Sequence, residues 1–294
     1  MEKASILHLI TSAKNVSPFD VNMAIDAGFA HIVPYTNVLQ NEVIALTQDA
    51  MFSRSASGVK REAMFFGGRD VHLALDMQSV ANNAMFAPFV FSTLSDPSGA
   101  FTTAAAMLAK INAHFSLKNQ TIAIFGASGS VGTTTALIAT KQGANVQLVA
   151  HRDLAGMQAH VDTLEKRYGV KLQVVDGTSD AAKKEVLNQA TIAICAAAAG
   201  VRVLENAHFS QSKSLKIMAD VNAVAPSGVA GLDAINDGQA IENRQIIGIG
   251  ALAIGQLKYA TQHALLKQLI NGGTPAHLAY EDAYKAACVL VTAA

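Results

Sequence analysis

The chain has 294 residues, enough for two domains of ordinary size, each with its own hydrophobic core. Charged residues make up 15% of it, against about 25% in a typical soluble chain. The formal net charge is +0 and no cluster of Lys and Arg stands out, which argues against nucleic acid as a partner. The low content of charge predicts that some surface is buried in a homo-oligomer.

The two cysteines and the lengths of the apolar runs indicate the cellular compartment of the protein. Cys195 and Cys288 lie in apolar surroundings far apart in the sequence, so we expect reduced core residues and no metal site. The first residues do not match a signal peptide, and no apolar run reaches the ~18 residues of a membrane span. A cytoplasmic protein with no membrane partner is expected.

Short apolar runs alternate with helical patterns in the first third of the chain. The runs at 5–10, 31–35, 63–66 and 89–94 are predicted strands. Helices are predicted between them, at 21–27, at 42–50 and from Asp70 onward, followed by a helix of small apolar residues at 98–114. This alternation predicts a parallel α/β domain.

The stretch 121–151 organises the rest of the prediction. The run at 121–125 is rich in β-branched residues and too short for a helix, so it indicates a buried parallel strand. A glycine-rich turn follows, then an Ala/Thr-rich segment closed by Gly143, and the next strand at 145–150. A strand, a glycine turn and a helix in this order are typical of a Rossmann-like dinucleotide-binding domain.

The glycine spacing fits the dinucleotide motif with one departure. Gly129 and Gly132 take the second and third places of Gly-x-Gly-x-x-Gly, while Ala127 takes the first, with an extra Gly126 before it. Such a turn lets the backbone approach a pyrophosphate, whose charge the N–H groups of the next helix face. A glycine turn without a nucleotide is the alternative. The predicted cofactor contacts here are Gly126, Ala127, Ser128, Gly129, Ser130, Val131 and Gly132.

Positive charge follows the second strand. His151 and Arg152 stand where dinucleotide enzymes usually choose between NAD and NADP, and Arg accommodates a 2′-phosphate. NADP is therefore expected to bind, and NAD stays possible because Asp153 follows and could reach a ribose hydroxyl. The alternative is that Arg152 and Asp153 only begin a helix, with Asp153 as N-cap.

Further strands at 171–176, 191–196 and 215–221 are predicted to end on one edge of the same sheet, where ligands bind in open α/β folds. Asn222, after the last of these strands, and Gly250, before a long helix, are therefore added as cofactor contacts. The predicted domains are 1–108, with a C-terminal helix within 271–294 packed on it, and the Rossmann-like domain 109–270. A cleft is expected between them.

A family resemblance is carried by SILHLIT, SPFDVNMAIDAGF, LTQDAMFSR, DVNAVAPSGVAGLD and GIGALAIGQLKYATQ. With these segments the chain resembles, over essentially its whole length, the NAD(P)-dependent methylene-tetrahydromethanopterin dehydrogenases of methylotrophic bacteria. It is nearer to type B than to the NADP-dependent type A. The resemblance implies hydride transfer from N5,N10-methylene-tetrahydromethanopterin to NAD(P)+ in formaldehyde oxidation, with the pterin in the cleft. The Tyr-x-x-x-Lys signature of folate dehydrogenase/cyclohydrolases is absent from the first domain, so cyclohydrolase activity is not expected.

The implied reaction moves no proton, so a negative environment near the developing cation matters more than acids and bases. Asp20 and Asp96 are the candidates, each following a strand in a loop with Pro, and helix capping is the alternative for both. Phe19 could stack on the pterin or belong to the core. From the resemblance, Lys258 in GQLKY is taken as a further catalytic candidate that binds a pterin carbonyl or orders its loop, with a surface lysine as the alternative.

Two threonines complete the predicted substrate contacts. Thr102 and Thr103 could donate hydrogen bonds to substrate or bond within their own helix. Three other readings stay open: a redox sensor that binds NADP without turnover, a methylene-tetrahydrofolate dehydrogenase, and an amino-acid or hydroxy-acid dehydrogenase. The last would need a catalytic group such as His8, His31 or His72, none of which lies in a motif.

Overall fold

A computed structural model describes residues 4–241, 245–270 and 273–292 of the protein. They fall into two compact units. The first unit is 1–102 with 259–286, and the second is 103–258 with 287–294.

These limits differ from the predicted domains in how three helices are divided. The helices at 100–114, 251–270 and 280–292 each contribute residues to both units, whereas the prediction assigns 251–270 to the Rossmann-like domain and the C-terminal helix to the first domain. Parts of the predicted ranges lie outside the described residues, namely 1–3, 242–244, 271–272 and 293–294.

Strands and helices alternate as the apolar pattern predicts. The strands are β1 (Ile6–Ile10), β2 (His31–Tyr35), β3 (Glu62–Phe66), β4 (Ser92–Ser95), β5 (Thr121–Phe125), β6 (Asn145–Ala150), β7 (Gln173–Asp176), β8 (Ile192–Cys195), β9 (Ile217–Asp220), β10 (Asp237–Ala240), β11 (Ile247–Ile249) and β12 (His277–Leu278). The helices are α1 (Pro18–Asp26), α2 (Val43–Phe52), α3 (Val71–Ala84), α4 (Ala100–His114), α5 (Ser130–Lys141), α6 (Leu154–Tyr168), α7 (Asp180–Gln189), α8 (Asn206–Phe209), α9 (Ala251–Ile270) and α10 (Tyr280–Thr292).

The sequence pattern predicts strands β1 to β9 and does not predict strands β10, β11 and β12 or helix α8, which have two to four residues each. Helix α1 begins at Pro18, earlier than predicted. Ser17 is its N-cap, and a proline suits the first helical position because its fixed φ fits a helix.

The first unit is built on a five-stranded sheet in the order β12-β4-β3-β1-β2. Every neighbouring pair in it is parallel. The central strand β3 is buried along its whole length, and its residues pack with helices α2 and α3 in one hydrophobic core. The parallel α/β prediction for this part of the chain is confirmed.

The second unit contains a seven-stranded sheet in the order β10-β11-β9-β8-β5-β6-β7. Its pairs are parallel except β10 with β11. The five strands β7-β6-β5-β8-β9 have the order of a doubly wound fold. Strands β6 and β7 are added on one side of β5, and strands β8 and β9 on its other side, so the order of addition reverses between β5 and β8. The carboxyl ends of these two strands therefore mark the place where a ligand is expected. None of the helices in the described part of the chain has both the length and the hydrophobicity needed to cross a bilayer.

A buried carboxylate joins three elements of the first unit. The Oε1 atom of Glu62, on β3, lies 2.8 Å from Arg54 Nε and accepts a hydrogen bond from Ser53 Oγ at 3.0 Å. Its Oε2 atom lies 3.0 Å from His8 Nε2, and His8 Nδ1 lies 3.3 Å from the hydroxyl of Tyr35. His8 is thus part of a structural cluster that ties the sheet to the end of α2.

We predict that Glu62→Gln lowers the free energy of unfolding by about 3 kcal/mol, because the largely buried guanidinium of Arg54 loses its counter-charge. Urea unfolding measures the change. Asp49→Asn on the exposed face of α2 is the matched control and should change the stability by less than about 0.5 kcal/mol. Equal changes in the two variants would contradict a stabilising role for the cluster.

Candidate functional site

The turn after β5 requires glycine at two places. Gly126 has a φ of 77°, and a Cβ atom built on it would lie 2.5 Å from the backbone nitrogen of Ala197. A Cβ on Gly132 would collide with the Gly126 carbonyl oxygen and lie 2.7 Å from the Cα of Ala127. On Gly129, in contrast, a Cβ would make only an ordinary contact with that oxygen, at 3.4 Å. Gly126 and Gly132 are needed for packing, whereas a Cβ atom at Gly129 would fit without a clash.

Helix α5 starts directly from this turn. Gly129 is its N-cap, and no side chain caps the helix there. The first N–H groups of an α-helix find no acceptor within the helix, and the helix dipole makes that end positive. Such a start is suited to binding an anion such as phosphate.

A cavity of about 460 Å³ lies at the carboxyl edge of the sheet, where β5, β6 and β8 end. The second unit alone provides its lining. Of the residues predicted to bind a cofactor, five line it: Gly126, Ser128, Gly129, His151 and Arg152.

Three cationic side chains line the cavity, namely Arg152, Lys183 and Arg202, and its described lining includes no carboxylate. Lys183 Nζ donates to the carbonyl oxygen of Val203 at 3.0 Å, and Arg202 Nε donates to that of Ser227 at 2.6 Å. Arg152 is exposed. The charge of the lining favours an anionic ligand.

Lys183 and Arg202 were not predicted from the sequence. Lys183 looks like any lysine on the polar face of a helix, and Arg202 lies in an irregular segment after β8. Only the sheet order, which puts β6 and β8 on either side of β5, brings them next to the glycine turn.

The segment after β6 serves two purposes. Asp153 is the N-cap of α6, and its Oδ1 atom accepts a hydrogen bond from Gly156 N at 2.9 Å. The capping reading is thus confirmed for Asp153. Arg152 lines the cavity one residue earlier, so the two charged residues, adjacent in sequence, act in different places.

The other predicted cofactor residues of the second unit do not line the cavity. Asn222 is buried, with Oδ1 accepting from Gly200 N at 3.1 Å and from Val224 N at 2.9 Å. A Cβ on Gly250 would collide with the carbonyl oxygen of Asp233, so packing at the start of α9 explains this glycine. Cofactor contacts remain a prediction for both. The same holds for Ala127, Ser130, Val131 and Gly132, which belong to the turn and the first turn of α5.

Two titratable residues lie at the ends of β8 and β9. Asp220 accepts hydrogen bonds from the backbone nitrogens of Asn222, Gly228 and Val229, at 2.9, 2.6 and 3.2 Å. Burial nevertheless raises the pKa of Asp220 above its usual value. Burial, with the charge of Asp220, raises the pKa of the neighbouring Cys195 to about 12. The thiol of Cys195 is free and protonated at neutral pH, as the prediction of a reduced core cysteine requires.

In the first unit, Asp20 lies in the first turn of α1 and is 4% exposed. Its Oδ1 atom accepts a hydrogen bond of 2.9 Å from Nε2 of Gln262, which is itself fully buried in α9. The N-cap of α1 is Ser17. Phe19, next to Asp20, is 42% exposed, so its ring belongs only partly to the core.

Asp96 and Thr102 contact each other, and both are fully buried. Asp96 Oδ1 accepts from the backbone nitrogens of Phe101 and Thr102, at 2.8 and 3.2 Å, and its Oδ2 accepts from Thr102 Oγ1 at 2.6 Å. These contacts are those of a helix cap, the alternative stated for Asp96. Thr103 follows in α4 and Lys258 lies in α9, both half-buried.

A doubly wound sheet with a glycine turn and a cation-lined cavity at its carboxyl edge defines an α/β protein of the Rossmann type. Residues 18–98 match the family model "Methylene-tetrahydromethanopterin dehydrogenase, N-terminal". The chain is 40% identical to the NAD(P)-dependent methylenetetrahydromethanopterin dehydrogenase of Methylorubrum extorquens, over 96% of this chain and 97% of that one. The protein therefore belongs to the methylenetetrahydromethanopterin dehydrogenase family, and the resemblance described from the sequence is confirmed.

Two further likenesses agree with this assignment. The bifunctional protein MdtA of Methylorubrum extorquens is 31% identical, with 98% of this chain and 99% of that one covered. Shikimate 5-dehydrogenase from Listeria monocytogenes, solved with shikimate and NAD, has a TM-score of 0.50 at 14% identity, covering 92% of each chain. The second likeness supports the fold alone.

We predict that Gly132→Ala destabilises the protein by several kcal/mol, about 3 or more, because the added methyl group meets backbone atoms that cannot move independently. Thermal unfolding measures the effect. Gly129→Ala is the matched variant, and its melting temperature should stay within a few degrees of the parent. If Gly132→Ala were as stable as Gly129→Ala, the described packing of α5 on the turn would be wrong.

Proposed function

We propose that the protein catalyses reversible hydride transfer from N5,N10-methylene-tetrahydromethanopterin to NAD(P)+, giving methenyl-tetrahydromethanopterin. The observation that carries the proposal is the 40% identity, along 96% of the chain, to a relative named for this activity. The cation-lined cavity beside the glycine turn supports the nucleotide half of the reaction.

The residues around the cavity fit a dinucleotide. NAD(P)+ would supply the hydride acceptor when bound. The turn at Ser128 and Gly129, with the start of α5, would hold the phosphates, because backbone N–H groups and a positive dipole meet there. Arg152 would face the adenosine ribose, where a guanidinium accommodates a 2′-phosphate. The absence of a carboxylate from the described lining supports use of NADP as well as NAD.

The pterin side of the reaction needs position and charge. As the hydride leaves, positive charge spreads over the methylene carbon and its two nitrogens, and no proton moves. A fixed carboxylate favours that charge, and Asp20 is the candidate because its oxygen is held in place. Phe19 would stack on the pterin with its exposed ring, and Lys258 would bind a pterin carbonyl. For Asp96, Thr102 and Thr103 substrate contact stays a prediction, since the Asp96 oxygens cap α4.

Several other expectations remain predictions. They are the interdomain cleft, a homo-oligomer, a cytoplasmic location, the absence of a metal, of nucleic-acid partners and of membrane partners, and a place in formaldehyde oxidation. Tetrahydrofolate derivatives stay an alternative substrate.

The experiment that tests the proposal is to mix purified protein with methylene-tetrahydromethanopterin and either NADP+ or NAD+ and to follow the absorbance of the reduced nicotinamide. We expect turnover with both. Arg152→Ala should raise the KM for NADP+ about tenfold more than that for NAD+, because only NADP+ carries the 2′-phosphate. Lys184→Ala, which removes an exposed cation outside the lining, is the control. Nucleotide binding without turnover would instead support the redox-sensor reading.

We predict that Asp20→Asn lowers kcat about tenfold to a hundredfold with little change in NAD(P) affinity, because it removes a charge that acts only as the cation forms. Stopped-flow turnover and nucleotide titration separate the two quantities. Asp26→Asn, at the other end of α1 on its exposed face, should keep kcat within about twofold. A kcat for Asp20→Asn within a few-fold of the parent would remove Asp20 from the reaction.

A further inference from the structure

Gln262 is a buried polar residue that the sequence did not single out. It is fully buried in α9, far along the chain from the residue it contacts. A carboxylate oxygen can only accept a hydrogen bond, so the 2.9 Å contact fixes the amide of Gln262 with its nitrogen toward Asp20 Oδ1. A hydrogen bond between two buried groups, one of them a carboxylate, is costly to break.

The chemistry of an amide distinguishes this contact from an ordinary ion pair. An amide donor fixes the direction of a carboxylate oxygen but adds no positive charge to it. Gln262 therefore orients the carboxylate without itself neutralising it. An amide also does not titrate, so Gln262 stays a neutral donor at every pH.

We propose that Gln262 is a positioning residue for hydride transfer, which holds the Asp20 carboxylate in the direction that favours the developing amidinium. The inference rests on the proposed function. Gln262 acts through Asp20 and is not itself placed against the substrate.

The test uses Gln262→Glu in the full-length protein. The new carboxyl group has nearly the shape of the amide, and when protonated it donates to Asp20 as Gln262 does. When the pH rises and the shared proton is lost, two carboxylates face each other and repel. The kcat of the variant should then be within a few-fold of the parent at low pH and fall about tenfold or more as the pH rises. The parent should show no such fall, because its reaction moves no proton and its amide does not titrate.

Three residues of α9 near Gln262 carry titratable side chains: Lys258, which is proposed to bind the pterin, and Tyr259 and His263, which contact Asp26. The hydroxyl of Tyr259 donates to Asp26 Oδ2 at 3.0 Å, and His263 Nε2 lies 3.2 Å from the Asp26 carbonyl oxygen. They are the same in the parent and in the variant, so a fall in kcat seen only in the variant comes from the new carboxyl group.

Two further variants complete the experiment. Gln262→Leu removes the donor at every pH, and its kcat should be about 10- to 100-fold lower with an unchanged pH profile and an NAD(P) affinity within about twofold. Gln268→Glu puts the same carboxyl group on an exposed part of α9 and should behave as the parent. If Gln262→Leu does not fold, Gln262→Glu carries the test, since it keeps the size of the side chain.

The outcomes separate this inference from the proposed function. In each variant kcat is normalised to the concentration of nucleotide-binding sites. If the pH profile of Gln262→Glu then matches that of the parent, Gln262 has only a structural role, and this inference alone is overturned. A parent protein without hydride transfer would overturn the proposed function and this inference with it. A fall in kcat with rising pH in Gln262→Glu alone supports both.

Discussion

The second unit depends on the contact between a glycine turn and the backbone around it. Gly132 packs on the carbonyl of Gly126, and Gly126 packs on the backbone of Ala196 and Ala197 after β8. Both contacts are too close for a Cβ atom. They fix the start of α5 and the end of β8 relative to β5, so the positive helix end and the loop after β8 stand on two sides of one cavity. A general property of glycine thus determines where an anion can bind.

Around that turn the cavity takes its charge from distant parts of the chain. Arg152 follows β6, Lys183 belongs to α7 and Arg202 follows β8. Sequence reasoning finds Arg152, because the end of the second strand has a known role in cofactor choice. It misses Lys183 and Arg202, because nothing local distinguishes them from surface cations. Strand order, which places β8 beside β5, is the information that a single sequence lacks.

Asp20 and Asp96 also show that contacts between distant parts of the chain cannot be predicted from local sequence. Both are predicted to follow a strand in a loop with Pro, and the sequence alone does not distinguish them. Asp96 finds its donors five and six residues later, at the start of its own helix, so a local contact explains it. Gln262, a donor to Asp20, lies 242 residues further along the chain. A local pattern predicts the first kind of contact and not the second, so Gln262 could be found only in the folded chain.

The kind of reaction explains why motif searches find little on the substrate side. Acid–base enzymes need a titrating side chain within reach of the proton, and that requirement leaves a recognisable residue type. Here His8, one of the three histidines that an acid–base reading would draw on, belongs to the cluster around Glu62. A hydride transfer that moves no proton asks instead for a fixed field and a fixed distance. Under our proposal the Asp20 carboxylate, held by the Gln262 amide, meets the first need, and such a contact leaves no mark in sequence spacing. The evidence for the activity is therefore the similarity to relatives along the whole chain. The structure identifies the side chains that an experiment should change.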